Sequence, residues 1–158
     1  MDFDEAKRLL AALAREGVRY VLVGSMAMAA QGLIRATRDI DLFIAPDPDN
    51  VERLRRALKG LFGGDPNVDQ ITAEDLGGDY QAVEYVPPHG LYSLDIIARL
   101  GEACRFEDLE SEEIEAEGVP IRIATPRTLY LMKKGTLRPQ DRIDAEAIRE
   151  RFGLDEDA

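Results

Sequence analysis

The chain has 158 residues, a length typical of one domain with a single substantial hydrophobic core. Its 31 acidic and 20 basic residues give a formal net charge of −11 at pH 7, which argues against broad, non-specific nucleic-acid binding. No apolar run is long enough to span a bilayer, and the acidic, amphipathic start does not resemble a signal peptide, so we expect a cytoplasmic protein with no membrane partner.

Cysteine and histidine each occur once in the sequence. Cys104 cannot form an internal disulfide bond, and together with His89 it cannot supply a zinc cluster. Zinc hydrolysis and Cys/His nucleophilic catalysis are therefore difficult to assemble in this chain. The plainest interpretation is that Cys104 either packs against other residues or is an inert thiol, and that His89, in a Pro-Pro-His-Gly run, lies on the surface of a turn.

Helices and strands alternate in the first part of the chain. The sequence predicts an amphipathic helix over 4–16, an apolar strand over 18–23, a short buried helix over 26–32 and a second strand that begins near Asp39. This order predicts an α/β (α+β) fold with a mixed sheet and helices packed against it. We expect one domain over 1–152, followed by a frayed acidic tail over 153–158.

Gly24 and Ser25 follow the first strand, where the chain turns into a helix. A glycine lets the backbone approach a ligand closely, and a serine hydroxyl can cap the helix or contact a phosphate oxygen. The free N–H groups at a helix start also favour an anion. The pair therefore indicates a phosphate site, although taken alone it is equally typical of a tight turn with a helix cap.

Two acidic residues lie on the second strand. Asp39 and Asp41 are separated by one residue, so in a strand they point to the same face with their Cα atoms about 7 Å apart. Ile40, Leu42 and Ile44 occupy the opposite face. Because two adjacent carboxylates repel each other, we expect a cation, and an all-oxygen ligand set favours Mg²⁺ or Mn²⁺. The plainer alternative is a solvated strand face paired with Arg35 or Arg38.

The rest of the chain adds helices, strands and a third acidic position. We expect a helix capped by Asp49 with Val51, Leu54, Leu58 and Leu61 in one stripe, then a polar loop over 63–79 and a hairpin of strands over 81–86 and 91–100. A solvated acidic segment over 107–117, a strand over 119–124 and a helix that starts at Thr125-Pro126 should follow. The chain should close with a helix over 140–152 that has Ile143, Ala147, Ile148 and Phe152 inward. Within the hairpin, Asp95 interrupts a strand of aliphatic residues, as Asp39 and Asp41 do.

The ordered set Gly24-Ser25, Asp39-Ile40-Asp41 and a distant Asp95 resembles the nucleotidyltransferase superfamily with the polymerase-β-like core. The runs RATRDIDLFI and TPRTLYLMKKGTLRPQDRIDAEAI are similar to a small prokaryotic branch that includes the AbiEii-type toxins of abortive-infection toxin–antitoxin systems. The resemblance extends over residues 18–150 and implies a minimal nucleotidyltransferase fold with an exposed acidic cleft.

The resemblance also implies roles for individual residues. Asp39, Asp41 and Asp95 would hold the metal ions and act in catalysis together with Lys133, and Gly24, Ser25, Arg38 and Asp141 would bind the nucleotide. Lys134 competes with Lys133, and Asp144 competes with Asp141. Both lysines lie near the end of a helix, where the dipole favours cations in any case.

The implied reaction transfers a nucleoside monophosphate from an NTP to a hydroxyl group. The acceptor would be a tRNA 3′ end or a protein side chain, and the protein would be a toxin with a cognate antitoxin. An alternative from a different class is a catalytically silent module of the same fold that acts as an antitoxin or regulatory partner.

Overall fold

A mixed six-stranded sheet forms the centre of the protein. The computed structural model describes residues 3–33, 38–78, 82–100, 104–136 and 138–155. These residues form six α-helices: α1 (Phe3–Arg15), α2 (Gly24–Ala30), α3 (Pro48–Leu61), α4 (Ala73–Gly77), α5 (Pro126–Lys134) and α6 (Pro139–Phe152). Their strands are β1 (Tyr20–Val23), β2 (Asp39–Ile44), β3 (Ala82–Tyr85), β4 (Ser93–Ile97), β5 (Arg99–Leu100), β6 (Cys104–Arg105), β7 (Ser111–Ala116) and β8 (Val119–Ala124).

The order of strands in the sheet is β3-β4-β2-β1-β8-β7, and β5 and β6 form a separate two-stranded pair. Strand β2 is antiparallel to β1 on one side and parallel to β4 on the other. The chain crosses from β2 to β4 through α3, α4 and the edge strand β3. The predicted α/β fold with a mixed sheet and helices packed against it is therefore confirmed.

The sheet is covered on both faces near its middle. All four residues of β1 are buried, and because successive side chains of a strand point to opposite faces, both faces of β1 contact other elements. Helix α1 contributes Leu9, Leu10 and Leu13 to this core, and α3 contributes Leu54 and Leu58. The amphipathic character predicted for the first helix is thus confirmed, and the stripe predicted for α3 is confirmed at Leu54 and Leu58, whereas its last member, Leu61, is only partly buried. None of the described helices combines the length and the apolar character that a membrane span needs.

Two predictions about local structure are wrong because the strength of a nearby polar contact was not visible in the sequence. Helix α3 is capped by Asp47, whose side chain accepts a hydrogen bond from the backbone N–H of Asn50, and not by Asp49. In α6, Ile143 is 62% exposed, whereas Asp144 is only 3% exposed. The predicted Ile148 is fully buried, and Asp144 takes the inward place expected for Ile143 because it turns towards a lysine of α5.

Two segments are more ordered than predicted. The acidic segment over 107–117 contains the edge strand β7, which pairs with β8 while most of its glutamates face solvent. The polar stretch over 63–79 contains a 3₁₀ helix (Pro66–Gln70) and the short helix α4. Asp65 caps the 3₁₀ helix, which begins with a proline, and Thr72 caps α4. Val68 and Leu76 attach the two elements to the core.

Candidate active site

Three acidic positions meet where β2 and β4 run side by side. The parallel register pairs Asp41 with Asp95 and Asp39 with Ser93. Neighbouring strands lie about 4.8 Å apart, so each of these pairs projects from adjacent positions of the sheet. The alternation predicted within each strand is confirmed, since Ile40 and Leu94, their immediate neighbours, are fully buried.

Asp41 and Asp95 share a hydrogen bond across the two strands. Burial raises the pKa of Asp41, and the charges of Asp95 and Asp39 raise it further, to about 7, against a partial opposing effect of Lys133. Burial also raises the pKa of Asp95, to which the charge of Asp39 adds. The pair therefore retains a proton at a pH at which exposed carboxyl groups have lost theirs.

Asp39 is exposed at the start of β2 and accepts a hydrogen bond of 2.5 Å from Ser93 Oγ. With its side chain in this position, the described residues contain no cluster of three Asp, Glu, His or Cys side chains that is arranged to hold a metal ion. Asp41 and Asp95 nevertheless fit a divalent cation, because their carboxylates project side by side from β2 and β4 into one cavity, and Mg²⁺ is commonly bound by one or two carboxylates together with substrate phosphates.

Gly24 lies against Asp41 and has a positive φ of 70°. A Cβ atom added at Gly24 would overlap the Asp41 carboxylate, so a glycine is needed here for two reasons, the backbone conformation and the close approach. Helix α2 begins at Gly24, two residues earlier than predicted, and Val23 is in the N-cap position without a side-chain cap. The half-buried Ser25 therefore lies in the first turn of α2 and does not cap it.

Lys133 extends from α5 into a network of polar side chains. Its Nζ lies 3.3 Å from Asp141 Oδ1 and 3.1 Å from Asp144 Oδ2, and the lysine side chain is 14% exposed. Thr136 Oγ1 donates to Asp141 at 2.9 Å, and Gln140 donates to Asp144 at 3.0 Å. These bonds hold the ammonium group in a fixed position.

The adjacent Lys134 has a different environment. It is exposed, and its Nζ lies 5.5 Å from the centre of the Tyr130 ring. The structure therefore distinguishes two lysines that the sequence could not separate: only Lys133 lines the cavity described next.

One cavity of about 490 Å³ collects the predicted positions. It is lined by Gly24, Ser25, Arg38, Asp39, Asp41, Asp95, Lys133 and Asp141, all eight residues selected from the sequence, and also by Arg138 and Gln140. Neither of the last two was predicted. Arg138 is the N-cap residue of α6, and Gln140 lies in its first turn. The signal in the sequence that could have pointed to them is the adjacent Pro139, because proline is common at the start of a helix.

A second cavity of about 950 Å³ opens from the same carboxylates. It shares Asp41, Asp95 and Lys133 with the first, but much of its remaining wall is apolar, with Ile97, Leu129 and Met132 among the lining residues. A polar compartment and a largely apolar one thus meet at Asp41 and Asp95. This arrangement can hold a charged group on one side and a less polar group on the other.

The sequence also allowed plainer roles for two residues, an arginine partner for Asp41 and a position on a turn surface for His89. Asp41 forms no ion pair with Arg38 or any other described basic residue, while Arg35 lies outside the described residues. The ring of His89 packs between those of Phe62 and Tyr92, with centroid distances of 5.4 and 5.2 Å, so it contributes to packing as well as to the turn surface.

No family model and no curated protein sequence matches the chain. Its fold does match solved structures. A candidate nucleotidyltransferase from Thermotoga maritima, TM1012, superposes with a TM-score of 0.54 at 17% identity, over 96% of this chain and 92% of that one. The crystal structure of ANT(2″)-Ia in complex with adenylyl-2″-tobramycin superposes with a TM-score of 0.58 at 16% identity, over 95% and 88%.

The solution structure of the same antibiotic-resistance factor, ANT(2″)-Ia, gives a TM-score of 0.50 at 15% identity, over 97% of this chain and 95% of that one. The chain thus has the fold of nucleotidyltransferases over almost its entire length. At these identities the likeness establishes the fold, and the chemistry depends on the residues of the cavity.

Proposed function

We propose that the protein is an Mg²⁺-dependent nucleotidyltransferase that transfers a nucleoside monophosphate from an NTP to a hydroxyl acceptor. The observation that carries this proposal is the pairing of Asp41 with Asp95 in a cavity that also contains Gly24, Ser25 and Lys133. Carboxylates that repel each other and cationic or hydroxyl donors that suit phosphate lie in one space of nucleotide size. The fold shared with nucleotidyltransferases supports the same reaction class.

Asp41 and Asp95 would hold the cation, with Asp39 as a further ligand, and either Mg²⁺ or Mn²⁺ suits these oxygen donors. A metal ion bound there would neutralise charge on the triphosphate and on the attacking oxygen. The hydrogen bond from Ser93 keeps the Asp39 carboxylate at the rim of the same cavity.

The chain's own side chains divide the remaining work. Lys133, fixed between Asp141 and Asp144, presents an ammonium group to a phosphate oxygen, while Ser25 and Arg38 offer further donors in the same cavity. The acceptor oxygen forms a bond to the α-phosphorus, the bond to the bridging oxygen breaks, and pyrophosphate leaves. The acceptor proton passes to Asp95, the carboxylate that lies where the polar and the apolar compartments meet.

The acceptor is the molecule that carries the attacking hydroxyl group. We propose a tRNA 3′ end or a protein hydroxyl, in a cytoplasmic toxin of the AbiEii type that is controlled by a cognate antitoxin. The bound product in ANT(2″)-Ia adds a third class, the hydroxyl of a small sugar-containing molecule. The 950 Å³ apolar compartment beside Asp95 has room for part of such an acceptor or for the nucleobase.

The test measures binding and transfer separately. Calorimetry with each of the four NTPs, with and without Mg²⁺, is followed by incubation with α-labelled NTP and tRNA, bacterial protein or an aminoglycoside. Metal-dependent NTP binding and label transfer are expected for wild type, with transfer lost in Asp41→Asn and Asp95→Asn. Asp49→Asn makes the same chemical change at an exposed site on α3 and should behave as wild type.

The outcomes separate the two classes of function. Metal-dependent NTP binding without transfer to any acceptor would favour the catalytically silent module that acts as an antitoxin or regulatory partner. Absence of metal-dependent NTP binding would contradict the enzyme and would favour a silent module that has no phosphate site. Transfer that survives Asp41→Asn would show that the reaction occurs elsewhere.

A further inference from the structure

A separate polar cavity lies at the opposite end of the sheet. Its volume is about 260 Å³, and Pro46, Ala98, Arg99 and Arg105 are among its lining residues. Pro46 follows the end of β2 and Ala98 follows the end of β4, whereas the site carboxylates lie at the start or middle of these strands. Three residue steps, about 10 Å of strand, separate Asp41 from the last residue of β2 and Asp95 from Ala98. No described residue lines both this cavity and either compartment of the candidate active site.

Two arginines line this cavity from opposed positions. Arg99 on β5 and Arg105 on β6 are direct partners in the antiparallel pair. Like charges at directly opposed positions of two strands repel each other. Glu107 also lines the cavity, yet neither guanidinium forms an ion pair with a described carboxylate. In a protein with a net charge of −11, the cavity thus brings together two cations and one anion, Glu107, which forms an ion pair with neither of them.

The Arg99 guanidinium is anchored but incompletely bonded. Its Nη2 donates to the carbonyl oxygen of Gly78 at 2.9 Å, which fixes the group in place. Its Nε is buried and has no hydrogen-bond acceptor among the described residues. A buried donor without a partner is rare in folded proteins, and it commonly marks the position of an ion or water. The requirement is stronger when the donor is charged.

We infer that this cavity binds a doubly charged oxyanion of the phosphate class between Arg99 and Arg105. Guanidinium groups bind phosphate through paired, charge-assisted hydrogen bonds, and two of them balance one dianion. Inorganic phosphate and small phosphate monoesters share this chemistry, and the cavity has room for a phosphate group with a small substituent. The inference does not depend on the nucleotide reaction, because the two sites share no residue.

The experiment titrates inorganic phosphate into the full chain at constant ionic strength. Nitrogen-15 NMR of the arginine Nε–H groups reports binding at Arg99, and the thermal unfolding midpoint reports the overall effect. We expect a saturable shift of the Arg99 resonance and a higher midpoint. Arg105→Gln should weaken phosphate binding about tenfold. Because Arg105 is exposed, this variant tests the site without removing a buried group.

The matched control is Arg122→Gln. Arg122 is also an exposed strand arginine, 3.9 Å from Glu113, and does not line this cavity, so its loss changes the net charge equally and should leave phosphate binding unchanged. A phosphate monoester titrated in parallel distinguishes the two sources, since tighter binding of the ester assigns a phosphorylated small molecule and weaker binding assigns the free ion. An Arg99 shift that does not saturate, that chloride reproduces, or that Arg105→Gln leaves unchanged would overturn the inference.

Discussion

Asp41 and Asp95 lie directly opposite each other on the parallel strands β2 and β4 and share a hydrogen bond. Burial raises the pKa of both carboxyl groups, and the charge of Asp95 adds to the rise at Asp41. A hydrogen bond between two carboxyl groups requires a proton on one of them. In the absence of a cation, that proton relieves the repulsion between the strands.

The first prediction concerns stability as a function of pH. The pKa of Asp41 rises from 3.8 to about 7 on folding, so its protonated form favours the folded state. This contribution is fully present below about pH 4 and is lost as the pH rises through about 7. Urea unfolding in the presence of a chelator should therefore give a lower free energy of unfolding at about pH 8 than at about pH 5.5. These two pH values lie on either side of the pKa of Asp41 in the folded protein.

Asp41→Asn is the control for this pH dependence. The asparagine amide has nearly the same shape as the aspartate carboxyl group but does not titrate. The fall in the free energy of unfolding between the two pH values should therefore become smaller. Comparison in a His89→Asn background removes the single histidine from the difference. Mg²⁺ added at the higher pH should restore stability in wild type more than in Asp41→Asn, since a cation then replaces the proton. An equal decline in both proteins would contradict the assignment to Asp41.

The second prediction concerns Gly24. Gly24→Ala places a side chain on a residue with φ of 70° and pushes its Cβ against the Asp41 carboxylate. The backbone conformation alone should cost about 1–2 kcal/mol of unfolding free energy. Displacement of Asp41 by about 1 Å should lower transferase activity about 100-fold.

Gly90→Ala is matched to Gly24→Ala in backbone conformation. Gly90 has φ of 67° and no atom within 4 Å of an added Cβ, so it should show the loss of stability without the loss of activity. Chemical unfolding and label transfer are measured for both variants. If the two variants lost activity equally, the contact between Gly24 and Asp41 would not be the cause.

The third prediction separates the two adjacent lysines. Lys133→Met removes the cation that lies between Asp141 and Asp144 and breaks its ion pair with the buried Asp144 carboxylate. We expect a loss of about 3 kcal/mol of unfolding free energy, together with loss of NTP binding. Lys134→Met removes an exposed cation near Tyr130 and should cost about 0.5 kcal/mol. Unfolding curves and NTP calorimetry check both variants, and equal effects would contradict the distinction.

Sequence patterns between residues close together in the chain predicted several elements of the fold. Alternation along β2 and β4 predicted which residues face the core, and the threonine and proline at 125–126 predicted the start of α5, where Thr125 accepts from the N–H of Thr128. These features depend on residues close together in the chain. The sequence also selected eight residues that line one cavity, although their individual roles stay predictions.

Features that depend on distant contacts were not predictable. The register that sets Asp41 opposite Asp95 arises from pairing across more than fifty residues of chain, and periodicity within one strand does not report it. The inward turn of Asp144 contradicts the rule that charges face solvent, because its partner Lys133 comes from another helix. Strand β7 was missed since an edge strand can carry Glu112, Glu113 and Glu115 in solvent while its backbone is paired.

The last prediction concerns Ser93, whose hydroxyl donates to Asp39 Oδ1 at 2.5 Å. Ser93 does not itself line the cavity among the described residues, so it acts by orienting Asp39. Residues that orient a ligand carboxylate typically affect metal affinity or activity by 10- to 100-fold, and for the exposed Asp39 we expect about tenfold. Ser93→Ala should therefore raise the Mg²⁺ concentration needed for half-maximal transfer about tenfold, with little change in unfolding free energy.

Ser93→Thr keeps the hydroxyl and should retain most of the wild-type metal dependence, whereas Ser111→Ala, at the start of β7, should have no effect. A Ser93→Ala protein with unchanged metal dependence would show that Asp39 acts without the hydrogen bond from Ser93.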